Sequence, residues 1–319
     1  FLPHFYELKL ITDNNKDKNT LINLESELIM KTKIICGNLI LSESILYFID
    51  NYEIKKGYGK DIKYLFSSLA DDIRDRKKII IIKIKDIEEI ITRRYLYNYQ
   101  AFEIFLKNGK SYYFNLYSKD YLKQFLDKLK EIKDINNMIN IITDPIKYFK
   151  DKNYYNQWVE DQISTYQYLL YLNKFSSRSF NDINQYPIFP WIFRESALGS
   201  QLDKGQIPKL RDLRYPISIK GKSIGKENEE FENLEEAKCY FDASLDENRR
   251  YPSHFRLHYS TSGYILSFMV RSSPYTEEQI RFQNNQFDSP SRQLNSIDEI
   301  LLILSTSHDN RELIPEFFR

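Results

Sequence analysis

His254 and His258 stand four residues apart, the separation at which one helical face can offer two imidazoles to a metal ion. No glutamate lies between them as in an H-E-x-x-H site, and Pro252 with Ser253 opposes a helix there, so packing or hydrogen bonding is the simpler role. His258, Ser260 and Asp288 hold the atoms of a nucleophilic triad, and a hydrolase using His258 is the enzymatic alternative. Against it, close sequence neighbours seldom meet as a triad, and no G-x-S-x-G elbow is present. Neither G-x-x-x-x-G-K-[ST] nor G-x-G-x-x-G occurs, so no glycine-rich loop is available to cradle phosphates. No catalytic residue, metal site or cofactor is expected.

A different set of polar residues stands out by its surroundings. Arg178, Asn181 and Asp182 sit among Tyr186, Phe189 and Trp191, in a run whose two prolines, Pro187 and Pro190, force an extended chain. Such a chain has no regular ladder, and these side chains are suited to bonding its buried backbone groups. Their second role would be to line a peptide groove or an interface with the preceding domain. Arg93, Arg94, Tyr95 and Tyr97 are the candidates for the other side of that groove, being too aromatic for a free hairpin end. Lys31 and Lys33 are candidate contacts for anionic lipid headgroups, although solvated strand edges need lysines too.

The elements that position these residues divide the chain. Two domains are expected from 319 residues, and 42% hydrophobic with 15% aromatic content supplies their cores. Residues 28–35 and 39–49 read as strands around a Gly37-Asn38 turn, 51–78 as a lysine-rich solvated insertion, and 79–84 as a buried strand. Residues 102–106 and 112–116 flank a second turn at Asn108-Gly109. The sheet is expected to be antiparallel throughout. Ser118 caps a helix whose apolar face is Tyr121, Leu122, Phe125, Leu129 and Ile132. Pro145 breaks any helix in a connector that follows. Ser164 and Gln167 form a capping box for a helix reaching Phe175, apolar nearly all round and therefore expected to be buried. Further helices are read at 227–236, at 264–270 and from Ser296, the last with Glu299 in a capping box.

Charge excludes one class and permits others. Residues 1–150 hold 26 basic and 21 acidic groups and the remainder 20 and 24, too even a balance for a nucleic-acid binder. Cys36 and Cys239 have no ligand spacing around them and are expected to be reduced, in a cytoplasmic segment of a longer protein.

W-x-x-x-x-I-S-x-x-x-Y-L-x-x-L-N followed by R-S-F-N-D-x-x-Q-Y-P-x-F-P-W resembles the opening of a BEACH domain, the module named for beige and Chediak–Higashi proteins. Arg211-Asp212-Leu213 with Pro216, His258-Tyr259-Ser260, Phe287-Asp288 and Glu312-Leu-Ile-Pro-Glu-Phe317 recur in that family's order. D-I-x-x-I-x-x-R-R-Y from Asp86 and A-F-E-I-F from Ala101 resemble the pleckstrin-homology-like domain that precedes it. The resemblance implies an α+β protein: a pleckstrin-homology-like antiparallel sandwich or barrel with a C-terminal helix over 24–135, a connector over 136–155, and the first part of a mainly helical, irregular BEACH domain over 156–319. It further implies a non-enzymatic protein–protein interaction scaffold in vesicle trafficking, membrane dynamics or lysosome and autophagy pathways. Its partners would be proteins, with the rest of the BEACH domain and a WD-type propeller in the same parent chain, in the cytoplasm or peripheral on vesicle or organelle membranes. Direct recruitment to anionic lipid is the third reading. Four positions depart from the family pattern: Ser177 and Arg256 each replace a glycine, and Asn284-Asn285 replaces Gly-Gly.

Overall fold

The computed structural model describes residues 20–50, 79–192, 210, 213, 261–286 and 312–318. The chain forms two compact units, Phe1–Lys152 and Asn153–Arg319.

The first unit is built on one eight-stranded sheet. Its strands are β1 (Thr20–Met30), β2 (Lys33–Ser42), β3 (Ile45–Asp50), β4 (Ile79–Lys83), β5 (Ile87–Tyr95), β6 (Asn98–Leu106), β7 (Ser111–Leu116) and β8 (Asn140–Ile142), in the order β4-β3-β2-β1-β7-β6-β5-β8. Helix α1 (Lys119–Lys130) closes it, capped by the Ser118 hydroxyl, which accepts from the Tyr121 N–H. Leu122, Phe125, Leu126 and Leu129 of α1 are buried, and Phe125 stacks on Phe102 of β6 with ring centroids 4.5 Å apart. Tyr121, expected on this face, is exposed instead; the stripe turns through Leu126.

Several expectations are corrected. Gly37-Asn38 is not a turn: Met30 pairs Lys33, so the chain reverses at Lys31-Thr32, and Gly37 lies inside β2. A Cβ on Gly37 would meet the Ile49 carbonyl oxygen and approach the Phe48 ring to 2.7 Å, so glycine is there for close approach of β3. The sheet is not antiparallel throughout either, because β8 pairs β5 in parallel from Glu89↔Asn140 to Ile91↔Ile142. Between them in sequence, α1 and the short α2 (Ile135–Met138) supply the crossover that parallel neighbours require. Pro145 starts a helix, α3 (Pro145–Asp151), rather than breaking one; it occupies the first turn, where its missing N–H costs nothing, and Asp144 caps it. The Lys107–Lys110 turn is as expected, with Gly109 at φ +79°.

In the second unit, α4 (Tyr154–Val159) packs aromatic side chains on α5 (Thr165–Phe175): Trp158 stacks on Tyr168 at 4.8 Å, and Tyr154 lies 4.5 Å from Tyr171. The Ser164/Gln167 capping box is formed in both directions. Helix α5 is half-buried rather than buried, because α4 is short and covers only part of its apolar circumference; Asn173 and Phe175 alone are fully enclosed. Helices α6 (Thr261–Phe268) and α7 (Tyr275–Phe282) complete a core with Tyr186, Ile188, Trp191, Leu313 and Ile314. Ser177, Asn284 and Asn285 have φ of 64°, 56° and 62°, the left-handed conformation that glycine would supply at those places. The insertion at 51–78, the Glu227–Glu236 and Ser296 helices, and Cys239 lie outside the described residues.

Candidate functional site

The extended run from Tyr186 to Trp191 is a strand without a sheet, and its backbone groups are satisfied on both flanks by other means. On one flank a single carboxamide does the work of a neighbouring strand: Asn173 Oδ1 accepts from the Ile188 N–H at 2.8 Å, and Asn173 Nδ2 donates to the Ile188 carbonyl at 2.9 Å. The same Nδ2 also donates to the Leu169 carbonyl at 2.8 Å. Two residues earlier on that flank, Arg178 Nη1 donates to the Tyr186 carbonyl at 2.8 Å. The opposite flank is closed by residues 312–318. Phe189 and Leu313 exchange both backbone hydrogen bonds at 2.9 Å, and Glu312 Oε2 accepts from the Trp191 N–H at 2.7 Å. Partners alternate sides as the pleat of an extended chain requires.

Side chains complete the clamp. Tyr186 donates its hydroxyl to Glu316 Oε1 at 2.6 Å and meets Phe180 edge-on, while Phe189 packs on Tyr166 and Phe318. Asp182 accepts from the Asn184 N–H and from Gln185 Nε2, fixing the short 3-10 turn Ile183–Gln185; the Asn181 N–H donates to the Ser179 hydroxyl. Burial holds the Arg178 guanidinium down at about 10. Burial, then Tyr275 and the bond to Glu316, push the Tyr186 phenol well above its ordinary range, and burial raises Tyr275 likewise.

The sequence candidates of the first unit separate into two environments. Arg93 is enclosed, with Nε and Nη2 donating to Glu103 Oε2 at 3.0 and 2.8 Å and its guanidinium over the Phe105 ring. Tyr95 is buried edge-on against Tyr113. Arg94 and Tyr97 lie at the exposed end of the β5–β6 hairpin, the Arg94 guanidinium 5.5 Å from the Tyr97 ring centroid and Tyr97 86% exposed. Lys31 is an exposed turn residue and Lys33 is half-buried at the start of β2. In the second unit, Asp182, Tyr186, Phe189 and Trp191 are buried, and Arg178 and Asn181 half-buried.

Asn173, Glu312, Glu316 and Glu103 entered the sequence reading only as members of family blocks, with no role given to them, although each is central to one of these clusters. A buried-side asparagine on an otherwise apolar helix, and two acids four apart around a proline, were the available signals. Among the described residues no group of three or more His, Cys, Asp and Glu is placed to hold a metal ion. His254, His258, Ser260, Asp288, Arg211 and Asp212 lie outside the described residues.

Residues 156–319 match the family model described as the Beige/BEACH domain, and residues 26–130 that of the PH domain associated with Beige/BEACH. The chain is 31% identical over 291 residues to a lysosomal-trafficking regulator of Drosophila melanogaster, a match covering 88% of this chain and 7% of that protein. It is 31% identical over 245 residues to the BEACH domain-containing protein lvsE of Dictyostelium discoideum, covering 76% and 11%. A putative neurobeachin homolog of Caenorhabditis briggsae is 29% identical over 305 residues, covering 92% and 11%. The chain thus spans between 7% and 11% of the length of these relatives.

Proposed function

The chain belongs to the BEACH-domain family, and from that premise we propose that it is a non-enzymatic protein–protein interaction module of a larger scaffold working in vesicle trafficking or the lysosomal pathway. The observation that supports this reading most is the use made of the signature residues. Arg178, Asp182, Asn173 and Glu312 are spent on backbone groups of an extended chain, within a packed aromatic frame. A reaction centre needs polar atoms left facing a substrate; these face the fold. Rigid placement of an irregular chain suits a docking module, whose surfaces must be held in shape before a partner arrives.

Broad esterase and phosphatase assays of the chain, run beside His258→Ala, test the reading. No turnover above background is expected in either. Turnover that disappears in His258→Ala would overturn the non-enzymatic assignment in favour of a hydrolase.

A further inference from the structure

At one end of the first unit the β5–β6 hairpin turns at Leu96-Tyr97. Both residues have positive φ, 45° and 66°, the pattern of a two-residue turn that favours Asn-Gly. Bulky side chains therefore sit where the backbone disfavours them, and they face solvent: Leu96 is 44% and Tyr97 86% exposed. Backbone outliers held by surrounding structure cluster at functional positions. Tyr99 is 61% exposed, with Lys119 Nζ 5.8 Å from its ring centroid. Ala101 pairs Asn115, so Tyr117 lies level with Tyr99, and Tyr121 follows in the first turn of α1; both are exposed.

The projection has Leu96 and Tyr97 at its apex and Tyr99 and Tyr117 behind them, with the Arg94 and Lys119 charges against the Tyr97 and Tyr99 rings. The Arg94 backbone lies two to three residues behind the apex and its guanidinium reaches forward to 5.5 Å from the Tyr97 ring centroid, so charge and aromatic surface meet at one level, as at the headgroup boundary that interfacial segments enter by about 5–10 Å. Tyrosine is enriched at that level because its ring is apolar and its hydroxyl wet. Arg94, Lys119 and Lys123 supply positive charge against Asp120 and against the exposed Glu25, which lies level with Tyr117 on β1. A convex tip with this layering fits a soft, anionic surface better than a partner that would have to offer a matching pocket.

We propose that the Leu96-Tyr97 tip of the first unit is a membrane contact, entering the interface of an anionic bilayer while Arg94 and Lys119 meet lipid phosphates. It lies at the opposite end of the sheet from Lys31 and Lys33, since Met30 pairs Lys33 and Ile29 pairs Tyr113, next to the β6–β7 turn. The inference does not depend on the scaffold reading.

The test is co-sedimentation of the full chain with phosphatidylserine-containing and pure phosphatidylcholine vesicles. The wild-type chain should bind the anionic vesicles, less so as salt rises. Replacing the apex by Leu96→Asn with Tyr97→Gly should lower that binding roughly tenfold or more. This pair suits the turn, so the melting temperature is expected to hold or rise and unfolding cannot explain the loss. Arg94→Glu with Lys119→Glu should remove the preference for phosphatidylserine, whereas Lys31→Glu with Lys33→Glu should leave binding unchanged. The proposal is overturned if the wild type ignores both vesicles, if the apex variant binds as the wild type does, if binding is lost on changing Lys31 and Lys33, or if the tip captures a protein and no vesicle.

Discussion

Tyr186 shows how one side chain ties distant stretches together and how its chemistry can be read out. Its hydroxyl bonds Glu316, and its folded pKa lies above the unfolded value near 10. The neutral phenol is therefore what the fold prefers, so its contribution is fully present below pH 10 and is lost as pH rises above that. Arg178 works in the opposite sense, because burial holds its folded value at about 10, below its ordinary range, so the cost of burying its charge is relieved as pH rises above that. Tyr186→Phe isolates the first effect: at pH 7 it should cost about 1–2 kcal/mol, and its urea midpoint should fall less than the wild type's on going above pH 10. Equal alkaline slopes for the two would contradict the assignment. At this scale the sequence was partly legible. The Ser164/Gln167 capping box is local and was read correctly, and the asparagines at 284 and 285 adopt the left-handed backbone that their type tolerates. Asn173 and Glu312 were not legible as clamps, because their partners are 15 and 121 residues away and only the fold brings them together.

Among the elements, the strands and α1 were legible from periodicity, and the errors came where a local signal had two meanings. Gly37-Asn38 has hairpin chemistry, yet glycine also permits close backbone approach, and the second use prevails. Pro145 ends helices from inside and starts them from the first turn; the asparagine- and isoleucine-rich stretch before it gave no means to choose. Half-burial of α5 depends on how much of it a neighbour covers, which a helical wheel cannot report. The buried Arg93–Glu103 pair carries the same lesson, since a lone arginine in a strand reads as surface until its partner two strand positions across is placed. Gly37→Ala tests the close-approach reading. The added methyl collides with backbone of β3, and a loss of about 2–4 kcal/mol is expected from urea unfolding. A change within about 0.5 kcal/mol, as for an ordinary surface site, would show that β2 and β3 can move apart freely.

For the molecule as a whole, family membership and the clamp around residues 186–191 point the same way. The polar residues of the block that resembles the family's signature were expected to be either structural or groove-lining, and Arg178, Asn181 and Asp182 each have a partner within the second unit. Among the described residues no helix is long and apolar enough to cross a membrane. The signature block is a scaffold for an irregular chain, with Asn173 standing in for a missing strand. Equilibrium unfolding of the full chain carrying Asn173→Ala tests it most directly. Removing that carboxamide strands the buried N–H and C=O of Ile188, and the account predicts that the transition of the second unit loses about 2–4 kcal/mol. A variant as stable as the wild type would contradict it.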